Sequence, residues 1–173
     1  METDVTVMKS LKNLSLVCIT LAAVGCSAVS YQSMGIRGGY SEKKLNDNSY
    51  RVHYSGNGSV SLEQAIDFAL LRSAVIAQQH GADTFTSSNH SANVSRSYAG
   101  TPGVYVSKPS VYLDIILPAT QSDAKTLACG QFSGLFSLMT LQNEVRAFHH
   151  NTQACIDEIQ AKYQLSEQQI LGV

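Results

Sequence analysis

The chain has 173 residues, 44% of them hydrophobic and 14% charged, with a formal net charge of −1 at pH 7. That length supports one ordinary domain with a real core. The near-neutral balance argues against a nucleic-acid partner, which needs a clustered basic face, and against electrostatic attraction to anionic lipid.

The N-terminal segment reads as an export signal. Lys9 and Lys12 are basic, residues 14–23 (LSLVCITLAA) form an apolar run broken by Ser15, Cys18 and Thr20, and Val24-Gly25 lead into Cys26. A charged start, an apolar stretch of about 7–15 residues and a small residue before the cut define a secretory signal. The run falls short of the ~20 residues a membrane-spanning helix needs. AAVGC resembles the lipobox of bacterial lipoproteins. The resemblance implies that the Cys26 thiol takes a diacylglycerol and becomes the new N-terminus. Ala23 departs from that pattern, which prefers Leu. The alternative is ordinary secretion with cleavage near Ala28 and no lipid. Two acids in METDVTV are unusual in such a segment, and a start at Met8 gives a cleaner one. Cleavage before Cys26 leaves 148 residues, still at −1. The expected organisation is a signal over 1–25, a tether over 26–35 and a single domain over 36–173.

Residues 50–55 alternate strictly, with Tyr50, Val52 and Tyr54 on one face and Arg51, His53 and Ser55 on the other, which predicts a half-buried strand. Asn46-Asp47-Asn48 before it suits a tight connection to a preceding strand in GGYSEKKL. Gly56-Asn57-Gly58 breaks the pattern. Ser61 and Gln64 form a capping box for a helix over 62–80, whose apolar stripe includes Ala65, Ile66, Ala69, Leu70 and Val75. Gly81 ends it. Residues 82–98 fit a solvated strand or a loop. After the Gly-Pro break at 99–103, residues 111–117 (VYLDIIL) predict a strand largely buried on both faces. Residues 119–141 are ambiguous, 143–163 are helical in pattern, and Ser166 with Gln169 caps a last short turn. The order β-β-α-β-β-α predicts an α+β fold, a small mainly antiparallel sheet with helices on one face.

Two stretches carry a family resemblance. GGYSEKKLNDNSYRVHYSGNG and DFALLRSAVIAQQHGADTF resemble small bacterial lipoproteins of the CC0125/CC1285 family, in the GGYSE-type first strand, the Arg51–Gly58 strand end and the Asp67–Ala74 helix. The likeness covers about residues 38–85. It implies an envelope lipoprotein without assigned chemistry and transfers no catalytic residue.

Cys129 and Cys155 are the cysteines left beside Cys26 after cleavage. In an oxidising envelope they are a disulfide candidate; the alternative is two free buried thiols. His149-His150 is poor metal-ligand spacing, since helical ligands pair at i and i+4, so the pair reads as solvated helix residues. Cys129 with His149 imitates a nucleophile pair without any surrounding signature. Gly56-Asn57-Gly58-Ser59 lacks the lysine of a phosphate loop and reads as a turn. GQFSG sets its serine one place late for a nucleophile elbow. Asp67 and Arg72 suggest ties from the helix to the hairpin, through Glu42 or Arg51. Glu42, Arg51, His53, Asp67 and Arg72 form a candidate binding surface.

No metal, cofactor or catalytic constellation is expected. The expected function is a non-enzymatic binding or structural lipoprotein, held on a membrane through its N-terminal lipid and meeting an envelope protein or the cell wall. Ser27 is not the Asp associated with inner-membrane retention, which favours the outer membrane facing the periplasm. The alternatives are an envelope hydrolase or a small-ligand carrier.

Overall fold

In the computed structural model, residues 31–119, 125–142 and 147–172 are described; the signal and Cys26 lie outside them. The elements are β1 (Gly39–Asn46), β2 (Ser49–Ser55), α1 (Leu62–Gln79), β3 (Thr84–Tyr98), β4 (Tyr105–Ile116), β5 (Lys125–Thr126), α2 (Cys129–Gln142), β6 (Phe148–Asn151), α3 (Thr152–Tyr163) and α4 (Glu167–Leu171). The strands make one six-stranded sheet in the order β1-β2-β4-β3-β6-β5. All neighbours are antiparallel except β5 and β6. The fold is α+β, with the helices packed on the sheet.

Alternation decides which face they cover. Val52 and Tyr54 of β2 and Val111, Leu113 and Ile115 of β4 are fully buried beneath α1. Their neighbours Arg51 and Tyr112 point to the opposite face, which no described helix covers. The strand expected to be buried on both faces is therefore covered on one. Tyr112 is exposed, while Asp114 is screened by polar neighbours.

Helix α1 starts where Ser61 Oγ accepts a hydrogen bond from the Gln64 amide at 3.0 Å, removing one orphan donor. It is more deeply buried than one apolar stripe predicts: every residue from Ala65 to Ala77 is inside, Asp67 and Arg72 included. The sheet covers one side, and α2 and α3 cover others. Alanines at 65, 69, 74 and 77 suit such close packing.

Of residues 82–98, Thr84–Tyr98 form strand β3, and the ambiguous stretch contains α2. The helix expected over 143–163 begins only at Thr152. Phe148, His149 and His150 extend along β3 instead, and Asn151 caps α3 by accepting from the Ala154 amide. At α4 both capping-box bonds form between Ser166 and Gln169. The domain also begins earlier than the expected tether allows. Tyr31 is 2% exposed, with its ring against Tyr40 and Phe68. Residues 31–35 thus belong to the packed domain.

Candidate functional site

The five residues of the expected binding surface fall in three separate places. Arg51 and His53 lie on the uncovered sheet face. Arg51 donates from Nε and a terminal nitrogen to both Asp114 oxygens, at 2.7 and 2.9 Å. One register step along, the His53 ring stacks on its cross-strand partner Tyr112 at 4.0 Å and 5°. His53 Nε2 lies 3.0 Å from Ser110 Oγ.

A bulge in β3 completes this patch. The register slips between Ser88 and Ser91, and Asn89 takes a left-handed φ of 49°. The extra residue re-aims both side chains. Asn89 Nδ2 donates to Asp114 Oδ2 at 3.0 Å on the open face, while His90 enters the core. The Arg51 hydrogen bonds hold the Asp114 carboxyl below its ordinary pKa, against the opposing effect of burial. Partial burial lowers that of His53. At pH 7 the patch is a fixed ion pair beside a neutral imidazole and an exposed phenol.

Glu42 and Arg72 are paired elsewhere, between β1 and α1. Arg72 donates to Glu42 at 2.6 and 3.1 Å and lies over the Tyr40 ring. Of the two routes expected from the helix to the hairpin, the one through Glu42 forms. Asp67 turns the other way, to α3. Its Oδ2 accepts from Lys162 Nζ and Tyr163 Oη, both at 2.7 Å. Burial pushes this carboxyl above its ordinary pKa, while Lys162 and Tyr163 pull it back. Oδ1 finds no hydrogen-bond partner among the described residues.

Sequence reasoning missed a polar relay in the core. Ser87 Oγ lies 2.8 Å from His150 Nε2 and 2.9 Å from His90 Nε2. His150 Nδ1 lies 3.0 Å from the Leu127 carbonyl. The carbonyl fixes the tautomer: Nδ1–H donates to Leu127, Ser87 donates to His150, and His90 donates to Ser87. Burial drives both imidazoles down to a pKa of about 4, so both are neutral at pH 7. The serine–imidazole contact resembles half of a nucleophile dyad. Ser87 is wholly buried, however, and Phe132 packs against both histidine rings, so no substrate reaches its Oγ in this arrangement. The polar run SSNH at 87–90 was the available signal.

His149 and His150 are therefore strand residues on opposite faces, not solvated helix residues. Thr86 Oγ1 meets His149 Nδ1 at 2.9 Å. Cys129 is bonded to Cys155, Cα atoms 5.3 Å apart, which removes it as a nucleophile. A groove of about 390 Å³ runs beside β6, lined by Thr84, Ala119, Thr126, His149, His150 and Asn151. Among the described residues no cluster of three or more His, Cys, Asp or Glu is placed to hold a metal, and no helix is long and apolar enough to cross a membrane.

Comparison with models of known protein families, with curated proteins and with solved structures finds no match to this chain.

Proposed function

We propose that the chain is a lipid-anchored envelope protein that acts as a non-enzymatic binding module. Acylated Cys26 holds it on a membrane, by this reading the outer membrane facing the periplasm. The open face of the sheet meets a polar partner, an envelope protein or the cell wall. The observation that carries the reading is the contrast between two polar groups. Ser87 and His150 of the relay are buried side chains, whereas Arg51, His53 and Tyr112, with Asp114 screened between them, stand on a sheet face that no described helix covers. An exposed aromatic beside a fixed ion pair suits a wet, hydrogen-bonded contact. The Cys129–Cys155 disulfide supports export, since cytosolic thiol pools keep such pairs reduced. The lipobox-like AAVGC supports the anchor.

The test is mass spectrometry of protein purified from host membranes, wild type against Cys26→Ala, with a photo-crosslinking residue placed at position 112. Acylation lost in the variant, together with a discrete crosslinked product, supports the reading. An unmodified, soluble mature form overturns the anchor, and crosslinks no different from those of a buried control position overturn the binding face.

A further inference from the structure

The entry point of the chain into the packed domain restricts how the domain sits on a membrane. Cys26 lies five residues before buried Tyr31, and five extended residues span at most about 18 Å. Beyond Tyr31 the chain makes a tight turn. The Gly35 amide donates to the Gly38 carbonyl at 3.1 Å, the Gly38 amide returns a bond to Gly35 at 3.0 Å, and the Met34 amide donates to Tyr40 at 2.7 Å. These bonds hold Ile36 and Arg37 outward. Ile36 is completely exposed and Met34 is 40% exposed.

Other apolar groups lie at the same end. Gly172 approaches Tyr40 so closely that a Cβ there would sit 2.6 Å from the tyrosine hydroxyl, which places exposed Leu171 nearby. Gly39 pairs with Ser55, Ser55 with Ser110, and β4 runs on past Ser110 to Tyr105. The projecting arm of β3 and β4, with Tyr98 and Tyr105 exposed, therefore leaves from this end too. The opposite end carries the polar turn around Asp47.

We propose that this end of the domain seats on the phospholipid surface holding Cys26, with Ile36 entering the boundary between headgroups and acyl chains. The proposal rests on acylation of Cys26. A hydrogen-bonded turn offering an unshielded isoleucine on a short leash to a lipid, with exposed Met34 on the same turn, matches what an interfacial contact needs. Arg37 sits where it reaches the phosphates while Ile36 goes deeper. The contact is hydrophobic and needs no net positive charge. It leaves the Arg51–Tyr112 face along the side of the seated domain, open to the envelope space.

The experiment uses full-length protein exported and acylated in its host, carrying Ile36→Cys or, as the control, Asp47→Cys. Acylation blocks Cys26 and the disulfide occupies Cys129 and Cys155, so the introduced thiol takes an environment-sensitive fluorophore. The protein is reconstituted into vesicles of phosphatidylethanolamine and phosphatidylglycerol and floated on a density gradient. The expected result is co-flotation, with emission from position 36 shifted to the blue and quenched by spin-labelled lipid, while position 47 emits as in water. Co-flotation with water-like emission at position 36 leaves the anchor standing and overturns the seat. Failure to float, with no acyl mass, overturns the anchor and the seat with it.

Discussion

Arg72 of α1 and Glu42 of β1 are locked in a two-pronged ion pair, with the guanidinium 4.5 Å from the centre of the Tyr40 ring. The pair fastens the central helix to the edge strand. Arg72 is 8% exposed, so the helix shields one partner while the other stays half wet. Removing one member of a buried pair strands the other, which costs about 3–5 kcal/mol when both are fully buried. Here Arg72→Ala is expected to cost about 2–4 kcal/mol in denaturant unfolding. Arg72→Lys is expected to recover only part of that, because an ammonium cannot supply the fork or stack on Tyr40 in the same way. Equal unfolding midpoints for wild type and Arg72→Ala would show that the pair does not hold the helix.

His90 and His150 make stability depend on pH in a defined window. Their folded pKa values are pushed down by burial to about 4, against about 6.5 in an unfolded chain. Between those values the unfolded state binds more protons, so stability rises with pH. It is present in full above about pH 6.5 and is lost as pH falls towards 4, by at most about 3 kcal/mol for each imidazole. Asp114, held low by Arg51, adds a loss at still lower pH. Asp67 works in the opposite sense, since its raised pKa favours the protonated folded form. Denaturant unfolding from pH 7.5 to 4.5 is expected to show the decline. His90→Phe, whose ring fits among Phe132, Phe136 and Phe148, is expected to flatten the slope by about one proton. An unchanged slope would mean that His90 does not titrate in this way.

The Cys129–Cys155 bond joins the start of α2 to α3 across 26 positions of sequence, with both cysteines buried. Closing a loop of that size removes unfolded-state entropy worth about 3 kcal/mol. Thermal unfolding with and without a strong reductant is expected to show a loss of about that size. Cys129→Ala with Cys155→Ala is expected to unfold like the reduced protein and to lose its sensitivity to reductant. A reductant-insensitive wild type would mean that the bond does not form in solution.

What was legible in the chain was local. Alternation in 50–55 and the Ser61 cap define β2 and α1 because each depends on neighbours in sequence. The α+β class follows from the order of such segments. Phe148 to His150 misled because extension there is imposed by pairing with Phe85 to Ser87, some 63 positions away, and not by local propensity. Arg51 and His53 stood out as polar residues on one strand face, but their partners Asp114, Tyr112 and Asn89 come from two other strands. An aspartate inside VYLDIIL was a legible warning, since an acid in an apolar strand needs a partner. The Ser87–His150 relay left only the polar run at 87–90 as a sign, and that run did not show which side chains turn inward, because a bulge turns His90 into the core and bulges leave little trace in alternation.

Gly38 and Gly39 show a motif whose physical reason emerges only in three dimensions. Both have positive φ, 110° and 133°, where a side chain strains the backbone. A Cβ on Gly38 would also collide with the Ser55 carbonyl, and one on Gly39 would lie 2.5 Å from the Gln32 carbonyl and 2.6 Å from that of Ser33. The paired glycines let the N-terminal segment lie flat against β1 and bury Tyr31. Gly38→Ala and Gly39→Ala are each expected to cost more than about 3 kcal/mol, since strain and a backbone clash act together. That corresponds to roughly 6–12 °C in Tm for a domain of this size. Gly35→Ala is the control. A Cβ there meets nothing within 4 Å, and its φ lies outside the positive region, so its effect is expected to stay within about 0.5 kcal/mol. Calorimetry of the three variants checks the argument. Comparable Tm values for Gly39→Ala and Gly35→Ala would mean that the segment from Tyr31 to Gly35 is not packed against β1 in solution.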